Sequence, residues 1–244
     1  MHAIIKTIRT EHWKLKRSPV WLAFFALPVI SAFFGTFNYL NNLDILKSEW
    51  YSLWSQHSLF LCYFFMPALI GTYCSYLWRL EHTRHNWNSF LTAPVPLLTL
   101  YFGKLALTVT MIVLGNAWIF LLFFLCGKLS GIHSPFPAAS LEWFVCGIIG
   151  GIVICCVQLF ISLVIRSFAI PIGIALAGGI GGLLATSEGW GLNYPYSLYS
   201  MGMRANKPQM EIDLVSFVVN SMGYIIIFAA LSVFYLRKHE MAAG

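Results

Sequence analysis

Six apolar runs alternate along the chain with short polar stretches, and each is long enough to cross a bilayer, for which roughly 20 residues suffice. They fall near Val20–Leu40, Ser58–Trp78, Phe102–Cys126, Leu141–Ile165, Phe168–Thr186 and Leu214–Leu236. The connections are Asn41–His57, Arg79–Tyr101, Gly127–Ser140, the tight Arg166–Ser167, and Ser187–Asp213. Spans of this length satisfy their own backbone hydrogen bonds only as helices.

Two stretches outside the spans have helical periodicity of a different kind. Before the first span, Ile4, Ile5, Ile8 and Leu15 fall on one stripe, with Lys6, Arg9, Lys16 and Arg17 opposite. That pattern predicts an interfacial helix with its basic face among anionic headgroups, turned into the membrane at Ser18-Pro19. Met1–Arg17 is not expected to be a cleaved signal, because the apolar run after it is too long and lacks a small-residue cleavage site. Between the second and third spans lies the charged cluster Arg79, Glu81, His82, Arg84 and His85. Here Leu80, Thr83, Trp87 and Leu91 recur at spacings of three and four. A short amphipathic helix is predicted, ended by Pro94 and Pro96. Glu81 and His85, four apart, are expected as a surface pair on it. Such a helix, just outside the membrane, suits docking onto a soluble partner through Arg79, Glu81, His82, Arg84, His85, Trp87 and Asn88.

The fold expected is therefore an all-α polytopic membrane protein. It has an interfacial elbow segment over 1–19, a six-helix transmembrane domain over 20–236 and a tail over 237–244. Composition agrees: 59% of the residues are hydrophobic and 10% charged, where soluble domains carry about a quarter charged residues. The net charge of +6 is explained by topology, not by nucleic acid. Eleven lysines and arginines fall on the side of the termini and of Arg79–Lys104, against Lys47, Lys128, Arg204 and Lys207 on the other. The positive-inside rule places both termini and the docking segment in the cytoplasm.

Within the spans, Gly147-x-x-x-Gly151 and the cluster containing Gly178 and Gly182 permit close helix approach; packing within one chain and packing across a dimer are both open. Pro28, Pro67 and Pro171 are candidate kinks, and Asn38, Asn116, Gln158 and Asn220 candidates for interhelical hydrogen bonds. No charge is expected deep in a span, which argues against an ion-coupled carrier. The last outer connection carries Trp190, Tyr194, Tyr196 and Tyr199; it is a candidate for dipping into the outer leaflet and facing an amphiphilic substrate there. The six cysteines lie in or at the ends of apolar runs, as packing residues.

Catalytic patterns are missing. No phosphate-binding loop is present: Gly127-Lys128-Leu129-Ser130 lacks the preceding glycine, so no ATP hydrolysis by this chain is expected. His82 and His85 beside Glu81 fall short of a zinc site, which needs a further ligand. Neither a zinc-protease helix nor a nucleophile elbow occurs. No catalytic residue and no metal is expected, which counts against a membrane enzyme as the missing charge counts against an ion-coupled carrier; these two and a sensor without an ATPase partner are the competing classes.

Taken together, these features resemble the membrane subunit of an ABC transporter of the ABC-2, or type V exporter, class. The most specific local piece runs from Glu81 through Phe90-Leu91-Thr92-Ala93-Pro94 to Lys104. The opening Glu11-His12-Trp13-Lys14-Leu15-Lys16-Arg17-Ser18-Pro19 and the tyrosine-rich last loop look like permeases of lantibiotic immunity and peptide-antibiotic resistance. The resemblance implies a coupling helix at the docking segment and no cofactor on this chain. It also implies two copies of an ATP-binding subunit holding ATP and magnesium, and a second permease, identical or homologous. The implied substrate is a lipid-associated antimicrobial peptide expelled from a bacterial membrane.

Overall fold

The computed structural model of the chain describes residues 2–16, 18–82 and 96–241. Among them every regular element is helical. An N-terminal helix α1 (His2–Leu15) precedes α2 (Val20–Asn41), α3 (Glu49–Phe60), a π-turn (Leu61–Phe65), α4 (Met66–His82) and α5 (Leu97–Leu129). Then come α6 (Ser140–Val164), α7 (Ala169–Ser187), a 3-10 turn (Gly191–Asn193), the short α8 (Ser197–Gly202) and α9 (Leu214–Met241). Six helical stretches are long and apolar enough to cross a membrane, with α3, the π-turn and α4 forming one of them. The six-span, all-α expectation holds. The coupling helix expected between the second and third spans, with Arg84, His85, Trp87 and Asn88, lies outside the described residues, as do Arg17 and the side chain of Lys6.

The second spanning helix starts at Glu49 rather than at Ser58. Its first turns read as polar, yet Trp50, Leu53, Trp54 and His57 repeat at helical spacing and are buried inside the bundle. The Trp54 indole donates to Met203 O (2.8 Å) and stacks on Phe120 and Trp143. Protein neighbours, not lipid, cover this segment, so hydropathy underestimates it. The π-turn has a local cause. Pro67 has no N–H to give the Tyr63 carbonyl, and α7 comes so close there that a Cβ added at Gly179 would sit 2.9 Å from Pro67 Cγ. Pro171 lies in the first turn of α7, where amides have no intrahelical acceptor anyway, and so needs no kink.

The connection between α7 and α9 folds back into the bundle. An added Cβ at Gly150 would lie 2.6 Å from the Tyr199 backbone, and one at Gly202 would lie 2.6 Å from Cys146 O. Gly150 is ~15 Å along α6 from its start, at 1.5 Å per residue, so α8 is inserted well inside the helix ends. α9 leaves this end, where Asn220 donates to Leu192 O (2.9 Å), and runs back with Phe228 against Phe160. The chain therefore finishes at the end where α1 sits, called here the basic end.

Candidate functional site at the basic end

Three helices meet around one ammonium group. Lys104 lies two turns into α5, and its side chain is fully buried. Its three N–H bonds are all used, on Glu11 Oε2 (2.9 Å), Leu77 O (2.8 Å) and Glu81 Oε1 (3.0 Å). The Trp78 ring lies 5.0 Å from the same nitrogen. Lys14 completes the cluster, donating to Glu11 Oε1 (2.6 Å) and Glu81 Oε1 (2.8 Å). Two carboxylates thus balance two ammoniums, which is the condition for burying charge at tolerable cost. Burial alone would raise the Glu81 carboxyl, but the Lys104 and Lys14 charges outweigh it and hold it below the ordinary carboxylate range.

Glu81 is thereby corrected from a docking contact to a buried structural anion. Two further points add to the sequence pattern. Of the stripe expected on α1, Leu15 is buried and Ile8 half-buried, while the side chains of Ile4 and Ile5 lie outside the described residues; Thr7 and Glu11 share the buried face, and Arg9, Trp13 and Lys16 are exposed, with the Lys16 ammonium 5.5 Å from the Trp13 ring. Lys104, expected as the cation that opens the third span, turns its side chain into the bundle and is paired there. Hydropathy could not show either point, since a charge that is paired in the fold reads in sequence as a charge in water. The available signal was the i,i+4,i+8 spacing of Thr7, Glu11 and Leu15.

The last turn of α4 reaches two further helices. His82 is half-buried, and its Nε2–H donates to Ser162 O of α6 (3.0 Å); burial keeps this imidazole below its ordinary pKa despite that bond. The exposed Arg79 places its guanidinium 5.3 Å from the Phe168 ring, while Ser75 donates to Phe168 O (2.7 Å) at the start of α7. Thus α1, α5, α6 and α7 all converge on α4 immediately before residues 83–95. Among the described residues no cluster of three or more metal-ligating side chains exists.

Residues 7–182, well over half of the chain, match the family model described as ABC-2 family transporter protein. The chain belongs to that family. No curated protein and no solved structure matches it. Membership makes this ABC-2 protein a membrane transport subunit that works with an ATP-binding partner. The matched region holds all four ionic residues of the cluster and ends before the re-entrant connection.

At the opposite end, the four glycines set aside for packing all face their own chain. Gly147 meets the Met203 side chain and Gly151 meets Ile112; Gly178 lies under the Tyr196 ring and Gly182 beside the Ser197 amide. Of the four loop aromatics, Tyr196 and Tyr199 are buried, so the substrate-facing expectation survives only for the exposed Trp190 and the partly buried Tyr194. Both buried hydroxyls have partners instead. Tyr199 donates to Asn116 Oδ1 (2.8 Å). Tyr196 donates to Gln158 Oε1 (2.7 Å), whose amide nitrogen donates to Pro171 O (3.1 Å) and whose oxygen also accepts from Ala175 N. Arg204, at φ +51°, caps α8 through Met201 O (3.0 Å) and pairs with Glu142.

Proposed function

We propose that this chain is the permease subunit of an ATP-driven exporter in a bacterial cytoplasmic membrane, with both termini and residues 83–95 on the cytoplasmic side. The observation that carries this reading, beyond family membership, is the convergence of four elements on the last turn of α4. A push delivered to residues 83–95 by an ATPase reaches α1, α5, α6 and α7 at once. The docking contacts proposed are Arg79, Arg84, His85, Trp87 and Asn88, with ATP and magnesium on two copies of the partner and a second permease, identical or homologous, completing the pathway. The cargo proposed is an amphiphilic antimicrobial peptide of lantibiotic type, met at the outer end near Trp190 and Tyr194. What supports it is the resemblance of the Glu11–Pro19 opening and the aromatic outer loop to immunity permeases.

Extraction from the native membrane in mild detergent tests the assembly. A stoichiometric soluble ATPase should co-purify and be lost when Arg84 and Trp87 are replaced by alanine. Recovery of the chain with no ATPase at any detergent strength overturns the reading. Deleting the gene should sensitise cells to lantibiotics; unchanged sensitivity alongside a bound ATPase would overturn the cargo alone.

A further inference from the structure

The buried cluster has more ionic order than packing requires. Apolar side chains of similar size would fill the same space at equal or better stability. What the charges add is register, because α1 cannot slide or rock without leaving a carboxylate or an ammonium buried and unpaired. Close packing reinforces this one residue away, where a Cβ added at Gly103 would lie 2.7 Å from Thr7 Cγ2 and 3.4 Å from Thr7 Cβ. Glu11 is the only member of the cluster, besides Lys14, that comes from α1; Lys104 and Glu81 come from the two helices flanking residues 83–95.

We infer that Lys104, held by Glu11 and Glu81, is a positioning residue for transport: it joins α1 to α4 and α5 as one rigid body. The N-terminal helix then travels with these two helices when the ATPase moves residues 83–95. This inference rests on the permease reading. Its chemistry is the pairing alone, with no substrate contact.

The Cβ separation at Thr7 and Gly103, 3.4 Å, lies at the short edge of the roughly 3.5–4.5 Å that a disulfide spans between Cβ atoms, so T7C/G103C supplies a reversible lock. The native cysteines are buried or half-buried in the bundle. In the full transporter with its ATPase in lipid nanodiscs, the lock should form at the same rate without nucleotide and after vanadate trapping. It should leave ATP hydrolysis within twofold. K104M should change the hydrolysis rate at least fivefold and slow cross-linking, and oxidation of K104M/T7C/G103C should return the rate to within twofold of the original. A tenfold difference in cross-linking between nucleotide states overturns the inference. So does a fivefold effect of the lock when Lys104 is present, or a K104M variant indistinguishable from the original. If K104M fails to assemble, E11Q, which keeps the Lys104–Glu81 pair, carries the same three comparisons. If no ATPase binds, the permease reading fails by itself, and the cross-linking rates of the original and Lys104-substituted chains still decide whether the ionic joint holds α1.

Discussion

Lys14 and Glu81 stand 67 residues apart in sequence and 2.8 Å apart in space, one anchoring α1 and the other ending α4. Their charges respond to pH in opposite directions. Glu81, held below its ordinary value of 4.5, contributes stability that is complete above that value and is lost as pH falls through its depressed folded value. For Lys14, burial opposes the charge, but Glu11 and then Glu81 raise it above 10.5; its contribution is complete below 10.5 and fades as pH rises through the folded value. Thermal unfolding in detergent should therefore give a plateau with a falling acid limb, and E81Q should flatten that limb. An acid limb of the same slope in E81Q would assign it to other carboxylates.

Replacing one partner should cost more than replacing the set. Glu81→Ala leaves a buried ammonium short of an acceptor, for which about 3–5 kcal/mol is typical. The triple change E11Q/E81Q/K104M removes the three deeply buried charges together, leaving the partly exposed Lys14, and should cost less than E81A alone. Chemical unfolding of the two variants side by side measures this. A triple variant less stable than E81A would mean that the charges stabilise the fold outright.

The re-entrant α8 fits only because particular positions lack a Cβ. Gly150→Ala would press on the Tyr199 backbone at 2.6 Å, and overpacking of this kind costs about 1–3 kcal/mol. Gly173→Ala and Gly223→Ala meet nothing within 4 Å and should be neutral or slightly stabilising as helix formers. Melting temperatures of the three variants in one detergent give the comparison; equal losses in all three would remove close packing as the reason.

The spans were legible in the sequence because lipid-facing helices must be apolar, and hydropathy reads that directly. The start of the second span was not, since Trp50, Trp54 and His57 are covered by protein and their intervening polar residues lower the hydropathy. Glycine clusters showed where backbones approach, but not that Tyr196, Ser197 and Met203 of the same chain fill those gaps. The ionic joint was least legible. Glu11 and Glu81 looked like surface charges and Lys104 like a topological cation, because pairing between distant segments leaves no local pattern. The run from Glu81 to Lys104 nevertheless marked two of its members through family resemblance.

Gln158 ties three segments together: α6, which carries it, Tyr196 before α8, and the first two turns of α7 at Pro171 and Ala175. Interhelical hydrogen bonds in membranes average about 0.6 kcal/mol, and the strongest reach about 1.7 kcal/mol. Gln158→Leu should fall toward the upper figure, since it strands a buried tyrosine hydroxyl, while Tyr196→Phe should cost less because the amide keeps its Pro171 and Ala175 partners. In a double-mutant cycle the combined variant should be more stable than the sum of the two losses predicts. Strict additivity in unfolding measurements would show that the two side chains do not share a bond in the membrane-embedded protein. Labelling adds an independent check on the same region. A cysteine at the exposed Trp190 should react with an impermeant maleimide from the outer side, and one at the buried Tyr199 should stay unmodified until the fold is opened. Equal reactivity at both positions would mean that α8 does not stay seated against Gly150.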